Sequence, residues 1–150
     1  MATWMTSVAS GVAGAASLTA LHELARRRLP YAPRMDLVAM HGLRRLVPAL
    51  REPNVPSKQL HNVALLGDLL SNSVYYAAVA APTARATWTR AAVLGTAAGI
   101  GALLLPEPMG LGTPPHSEDR RNQLMTVAWY LAGALTAAAV ATAITRGERR

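Results

Sequence analysis

A row of polar side chains lies inside a long apolar segment, and its spacing places it on one face of a helix. At about 100° per residue, Asp68, Asn72 and Tyr75 fall near the direction of His61, within an arc of about 60°, and Ser71 borders the row. A carboxylate in such a stripe can take up and release a proton, or hold a small cation with Asn72. The alternative is that Asp68 and Asn72 only hydrogen-bond neighbouring helices and fix their packing.

A second polar group, His22-Glu23, ends the first apolar segment, and we expect it at the depth of His61. Two facing histidines can ligate a metal or a haem iron, whereas Glu23 can form an ion pair with Arg26 or Arg27. The string from His22 to Arg26 approaches the H-E-x-x-H zinc protease pattern, but arginine replaces the second histidine. We therefore predict no metal site and no catalytic residues, and the identity of any cofactor stays open.

The elements that carry these groups follow from the distribution of charge. The 150 residues include 15 Lys or Arg and 8 Asp or Glu, yet residues 1–22, 59–84, 91–106 and 122–145 share one charged side chain, Asp68. A soluble helical domain interleaves charge with apolar positions at every turn, whereas a membrane-spanning helix needs about 20 mostly apolar residues. We predict an all-α polytopic membrane protein, a single domain over 1–150. Its four transmembrane helices are expected at about 2–24, 58–81, 87–105 and 118–145, the last capped by Ser117.

The connection between the first two spans predicts a basic amphipathic interfacial helix over about 35–51. Its apolar residues share one face, and Arg44, Arg45 and Arg51 lie on the opposite side. Such a helix can bind the anionic lipids of a bilayer surface, or its apolar face can cap the helical bundle. The net charge of +7 does not indicate nucleic acid, because about half of the basic residues lie between two apolar spans.

Orientation follows from the positive residues. With the N-terminus outside, the inner connections hold ten Lys and Arg residues and the outer regions five. We predict a multi-pass protein of a bacterial inner membrane, with both termini outside.

Small residues recur every four positions in two of the spans. Gly11 and Ala15 belong to such a row in the first, and Gly95 and Gly99 form G-x-x-x-G in the third. Small residues at this spacing let helix backbones approach closely. The sequence leaves open whether these seams join helices of one chain, copies in a homo-oligomer, or a membrane partner.

Two functional hypotheses follow. The first is proton or small-ion handling, as a transporter or channel subunit, with Asp68 as the titrating or cation-holding group. The second is a non-enzymatic scaffold or assembly subunit that binds a partner or anionic lipid. The absence of cysteine excludes disulfides and thiolate chemistry, and the sequence carries no soluble-enzyme motif. A membrane enzyme or a metal or haem protein centred on His22 and His61 is a third interpretation.

Overall fold

The structure is a computed structural model that describes residues 3–50, 56–114 and 116–148. These residues form helices and connections, with no strand among them, and the all-helical prediction is therefore confirmed. The helices are α1 (Trp4–Arg28), α2 (Met35–Leu46), α3 (Ser57–Ala77), α4 (Ala84–Leu104) and α5 (Arg120–Gly147), with a 3-10 turn over Pro48–Leu50.

Side-chain caps mark where several helices begin. The hydroxyl groups of Thr3 and Thr83 accept backbone N–H groups at the starts of α1 and α4. At the start of α5 the carboxylate of Asp119 accepts the N–H of Arg121 at 2.9 Å. The prediction that Ser117 caps this helix is wrong, because Asp119 supplies the cap two residues later.

The predicted interfacial helix over 35–51 is also shorter than expected. Proline disfavours a helical conformation in the residue before it, and Val47, which precedes Pro48, is extended with φ −114° and ψ 102°. Helix α2 therefore ends at Leu46. Arg51 lies outside the described residues.

The end of α3 falls four residues before the predicted end of the second span. Arg90 of α4 reaches back and donates hydrogen bonds to the carbonyls of Ala78 and Ala80, at 3.4 and 3.0 Å. The hydroxyl of Thr87 also bonds to the backbone of Ala81. These bonds satisfy the carbonyls of a tight turn that joins α3 to α4.

Helices α1 and α5 pack together at the centre, with α3 against α1 and α4 against α5. A Cβ atom at Gly11 would collide with the backbone oxygen of Ser73 on α3, and one at Gly99 would lie 2.6 Å from the α5 backbone. Gly95 also faces α5, and Ala15 is fully buried. These four small residues therefore lie in contacts within the chain.

Both long connections lie at the same end of the bundle. Arg45 of α2 donates to the carbonyl of Met109 at 2.8 Å, and the amide of Asn122 donates to the carbonyl of Tyr31 at 3.1 Å. The start of α1, the end of α5 and the turn between α3 and α4 lie at the other end. We call the end that carries α2 the inner end.

The bundle buries small side chains and exposes large apolar ones. Its interior is rich in Ala and Gly and contains polar residues such as Asn72, Asn122 and Thr126. On the outer face of α3, Leu66, Leu70 and Val74 are 66%, 68% and 71% exposed. Large apolar side chains therefore form the outer surface of α3.

Among the described residues, one helix, α5, is long and apolar enough to cross a membrane by length and composition. The other long helices do not reach this criterion. Polar residues lower their mean hydropathy. Helix α1 contains several Ser, Thr and Gly residues, α4 contains Arg90 with three Thr and three Gly residues, and α3 carries the His61 to Asn72 stripe.

Candidate functional site

A cavity of about 30 Å³ lies at the inner end, between α1, α3 and the segment that leads into α2. This volume holds about two water molecules. Each element contributes titratable groups to its wall. The lining residues are Thr19, His22, Glu23, Arg26, Pro33, Met35, Asp36, Ala39, His61, Ala64, Leu65 and Asp68.

His61 connects the three elements. Its Nε2 lies 3.3 Å from Oε1 of Glu23 on α1, and its Nδ1 lies 3.8 Å from Oδ2 of Asp36 on α2. The His61 side chain is 19% exposed and those of Glu23 and Asp36 are 20% and 13% exposed. A mostly buried imidazole therefore has a carboxylate from a different helix beside each ring nitrogen.

Arginines hold both of these carboxylates. Arg26 donates to the two oxygens of Glu23 at 3.2 and 2.7 Å, and Arg27 lies 3.7 Å from the same group. Arg34 makes a two-point contact with Asp36 at 2.8 and 2.9 Å. Burial acts to raise the pKa of Asp36, but the hydrogen bonds and positive charge of Arg34 outweigh it, so this pKa lies below its ordinary value.

Asp68 and Asn72 interact within α3. The amide of Asn72 donates to both the backbone oxygen and Oδ1 of Asp68, each at 2.9 Å. Asn72 is buried, whereas Asp68 lines the cavity and is only partly buried. Ser71 is exposed and donates to the backbone oxygen of Asp68, so its hydroxyl is outside the cavity.

Two buried polar atoms of the cavity wall have no hydrogen-bond partner in the protein. They are Oγ1 of Thr19 and Nε2 of His22, and the described residues contain one other such side-chain atom, on Asn122. The His22 ring also makes edge contacts with Trp129 and Tyr130 of α5, with centroid distances of 5.2 and 5.9 Å. These contacts hold the His22 ring between the cavity and α5.

Neither Tyr75 of the predicted stripe nor its neighbour Tyr76 lines this cavity. The Tyr75 hydroxyl donates to the carbonyl of Leu94 on α4 at 2.9 Å, and the fully buried Tyr76 donates to the carbonyl of Tyr130 on α5 at 2.8 Å. Glycines on both sides make room for the Tyr76 ring, which lies between α1 and α5. The ring fills the bundle beyond Asp68, toward the outer end.

The described ranges contain no group of three or more His, Asp or Glu side chains arranged to hold a metal ion. The structure brings His22 and His61 to one cavity, but the neighbouring carboxylates are held by Arg26, Arg34 and Asn72 rather than directed together at one point.

Asp36 is the residue that sequence reasoning missed. On a helical-wheel projection of α2, Asp36 falls between Met40 and Leu43, inside the apolar face. An acid on the apolar side of an amphipathic helix indicates a buried partner, and here the partners are Arg34 and His61. That signal was present in the sequence.

The predicted lipid-binding residues lie apart from the cavity. Arg44 and Arg45 are exposed on α2, and Arg45 bonds to the carbonyls of Met109 and Gly110. Arg45 therefore also ties α2 to the connection between α4 and α5.

The chain matches no protein-family model, no curated protein and no solved structure.

Proposed function

We propose that this chain is a small multi-pass membrane protein that handles protons or small cations through the cavity at its inner end, as a transporter or channel subunit. The observation that carries this proposal is an internal cavity lined by His22, Glu23, Asp36, His61 and Asp68 beneath an exterior of large apolar side chains. Ionisable groups are costly inside a bilayer, so their concentration around an internal cavity supports a role in moving charge.

The apolar exterior supports four membrane-spanning helices, α1, α3, α4 and α5. Their lengths, from 21 to 28 residues, suit a hydrocarbon layer about 30 Å thick. The inner end carries the basic connection between α1 and α3 and also Arg120 and Arg121 at the start of α5. This excess of positive charge supports an orientation with that end inside a bacterial inner membrane and both termini outside.

In this conformation the cavity lies near one end, and Tyr76 fills the bundle beyond it. Such a one-sided arrangement is consistent with a gated carrier in a single state. Transfer across the bundle then requires Tyr76 to move away from the carbonyl of Tyr130.

The test is proton flux into vesicles that contain the purified chain and an internal pH dye, driven by a potassium diffusion potential. We expect Asp68→Asn to abolish flux without unfolding the protein, because an asparagine oxygen still accepts the amide of Asn72. Gly67→Ala is the matched control, since a Cβ there meets no atom within 4 Å. Equal flux from wild type and Asp68→Asn would reject the proposal.

A second candidate function, as an assembly subunit that binds a second copy, rests on a groove of about 390 Å³ along α4 and the connection after it, bordered by Tyr75 and Tyr130. Gly101 lines it, and a Cβ at this position makes only an ordinary contact, 3.4 Å from Leu105. Gly101→Val should therefore keep the fold and weaken self-association in detergent, measured by sedimentation. An unchanged sedimentation profile would count against this candidate.

Anionic lipid is a further proposed partner, through Arg44 and Arg45 of α2. The full chain with both residues changed to Gln should lose its preference for vesicles that contain phosphatidylglycerol. Retained preference would remove this proposal.

A further inference from the structure

His61 is the titratable group of the cavity that touches carboxylates from two other elements. The groups that face it from each neighbouring element are Glu23, His22 and Arg26 from α1, Asp36 with Arg34 from the α2 segment, and Asp68 on its own helix. Histidine is the side chain that exchanges protons most readily near neutral pH, because its ordinary pKa is about 6.5.

The same contacts disfavour a metal or alkali cation as the occupant. Hard cations need several oxygen ligands that converge on one point. Here Glu23 is engaged by Arg26, Asp36 by Arg34 and Asp68 by Asn72. A proton carried by water needs only a chain of donors and acceptors, and a cavity that holds about two water molecules provides one.

We infer that the cargo of this cavity is the proton and that His61 takes it up from the side of α2, an inference that rests on the proposed function. A hydronium ion on the α2 side gives a proton to Nδ1 of neutral His61 and becomes water, and the ring releases the proton on Nε2 to water in the cavity. That water passes the proton to the carboxylate of Asp68, which becomes a neutral carboxylic acid. The proton left on Nδ1 returns to Nε2 through water and restores the starting tautomer, so the net result is one proton moved from the α2 side to Asp68.

The test uses the reconstituted full chain with the internal pH dye, and compares His61→Gln with His41→Gln. His41 is a matched control because its side chain is exposed on α2 and its Nδ1 bonds only to the carbonyl of Leu37. We expect His61→Gln to reduce proton flux about a hundredfold or more, within the range that a positioned proton-transfer group contributes. We expect His41→Gln to match wild type, and sodium or potassium gradients to be unnecessary.

Each of the other results overturns the inference in a distinguishable way. Flux that requires sodium or potassium would identify an alkali cation as the cargo, and equal flux from His61→Gln and His41→Gln would exclude His61 as the uptake group. Loss of flux in Asp68→Asn with normal flux in His61→Gln would leave the proposed function intact and reject this inference alone. An absence of proton flux in wild type would reject both the proposed function and this inference.

A second variant covers the case in which His61→Gln does not fold. Asp36→Asn keeps the imidazole but removes the carboxylate beside Nδ1. We expect the proton flux of this variant to fall below that of wild type, because uptake at Nδ1 loses the carboxylate that lies beside it. Flux equal to wild type in a folded Asp36→Asn variant would contradict uptake at Nδ1.

Discussion

Substitution of Gly11 by alanine tests the close approach of α1 and α3 that positions the two sides of the cavity. A Cβ at Gly11 would collide with the backbone oxygen of Ser73 and would lie 2.8 Å from the backbone nitrogen of Ala77. Both are backbone atoms, so a side-chain rotation cannot relieve the contact, and the helices must separate. Overpacking of this kind costs about 1–3 kcal/mol.

Gly67→Ala is the matched control on the exposed face of α3. A Cβ there meets no atom within 4 Å, so this change should only add the helix preference of alanine, about 0.5–1 kcal/mol. Alanine at position 11 gains the same helix preference over Gly11. The difference in free energy of unfolding between the two variants is therefore the packing penalty alone, about 1–3 kcal/mol in favour of Gly67→Ala.

The assay is equilibrium unfolding in detergent micelles by added dodecyl sulfate, followed by far-ultraviolet circular dichroism. We expect Gly67→Ala to unfold at a higher denaturant fraction than wild type and Gly11→Ala at a lower one. Equal stability of the two alanine variants would refute the α1–α3 packing described here.

Three further changes have defined outcomes. Tyr76→Phe removes the hydrogen bond to the carbonyl of Tyr130 and should lower the free energy of unfolding by about 1 kcal/mol in the same assay; no loss would contradict that bond. Asp36→Asn removes the partly exposed contact with Arg34 and should cost about 1 kcal/mol at neutral pH. Because the folded pKa of Asp36 lies below the ordinary 3.8, its contribution is present above that pH and is lost as the pH falls through the folded pKa. The stability gap between wild type and Asp36→Asn should therefore close in acid, and a gap that persists there would refute the ion pair. Arg45→Ala should speed hydrogen exchange in the connection between α4 and α5, because two carbonyls there lose their donor; unchanged exchange would count against this tie.

The charge pattern was sufficient to predict the helices. Long uncharged segments ended by Arg26-Arg27-Arg28, Pro82 or Pro106 gave the number and order of the long helices, because charge and proline are strong local signals. Exact ends were less predictable. The turn after α3 is held by hydrogen bonds from Arg90 of the next helix, and these form only when α4 folds back beside α3.

The candidate site was predictable in part. Periodicity placed His61 and Asp68 on one face of α3, and the chain topology brought His22 and Glu23 to the same end. Periodicity within α3 could not show that Tyr76 turns toward α5, because the glycines that make room for its ring come from α1 and α5. The role of Asp36 likewise depends on how α2 folds back onto α3.

Membrane immersion of the apolar exterior is the central claim, and single-cysteine labelling tests it most directly. The chain has no cysteine, so Leu70→Cys reports the outer face of α3, where Leu70 is 68% exposed, and His41→Cys reports the exposed side of α2. The sample is a mixture of inverted and right-side-out membrane vesicles treated with a membrane-impermeant maleimide. We predict rapid labelling of His41→Cys and labelling of Leu70→Cys only after denaturation in dodecyl sulfate. Equal labelling of both variants in intact vesicles would contradict the account.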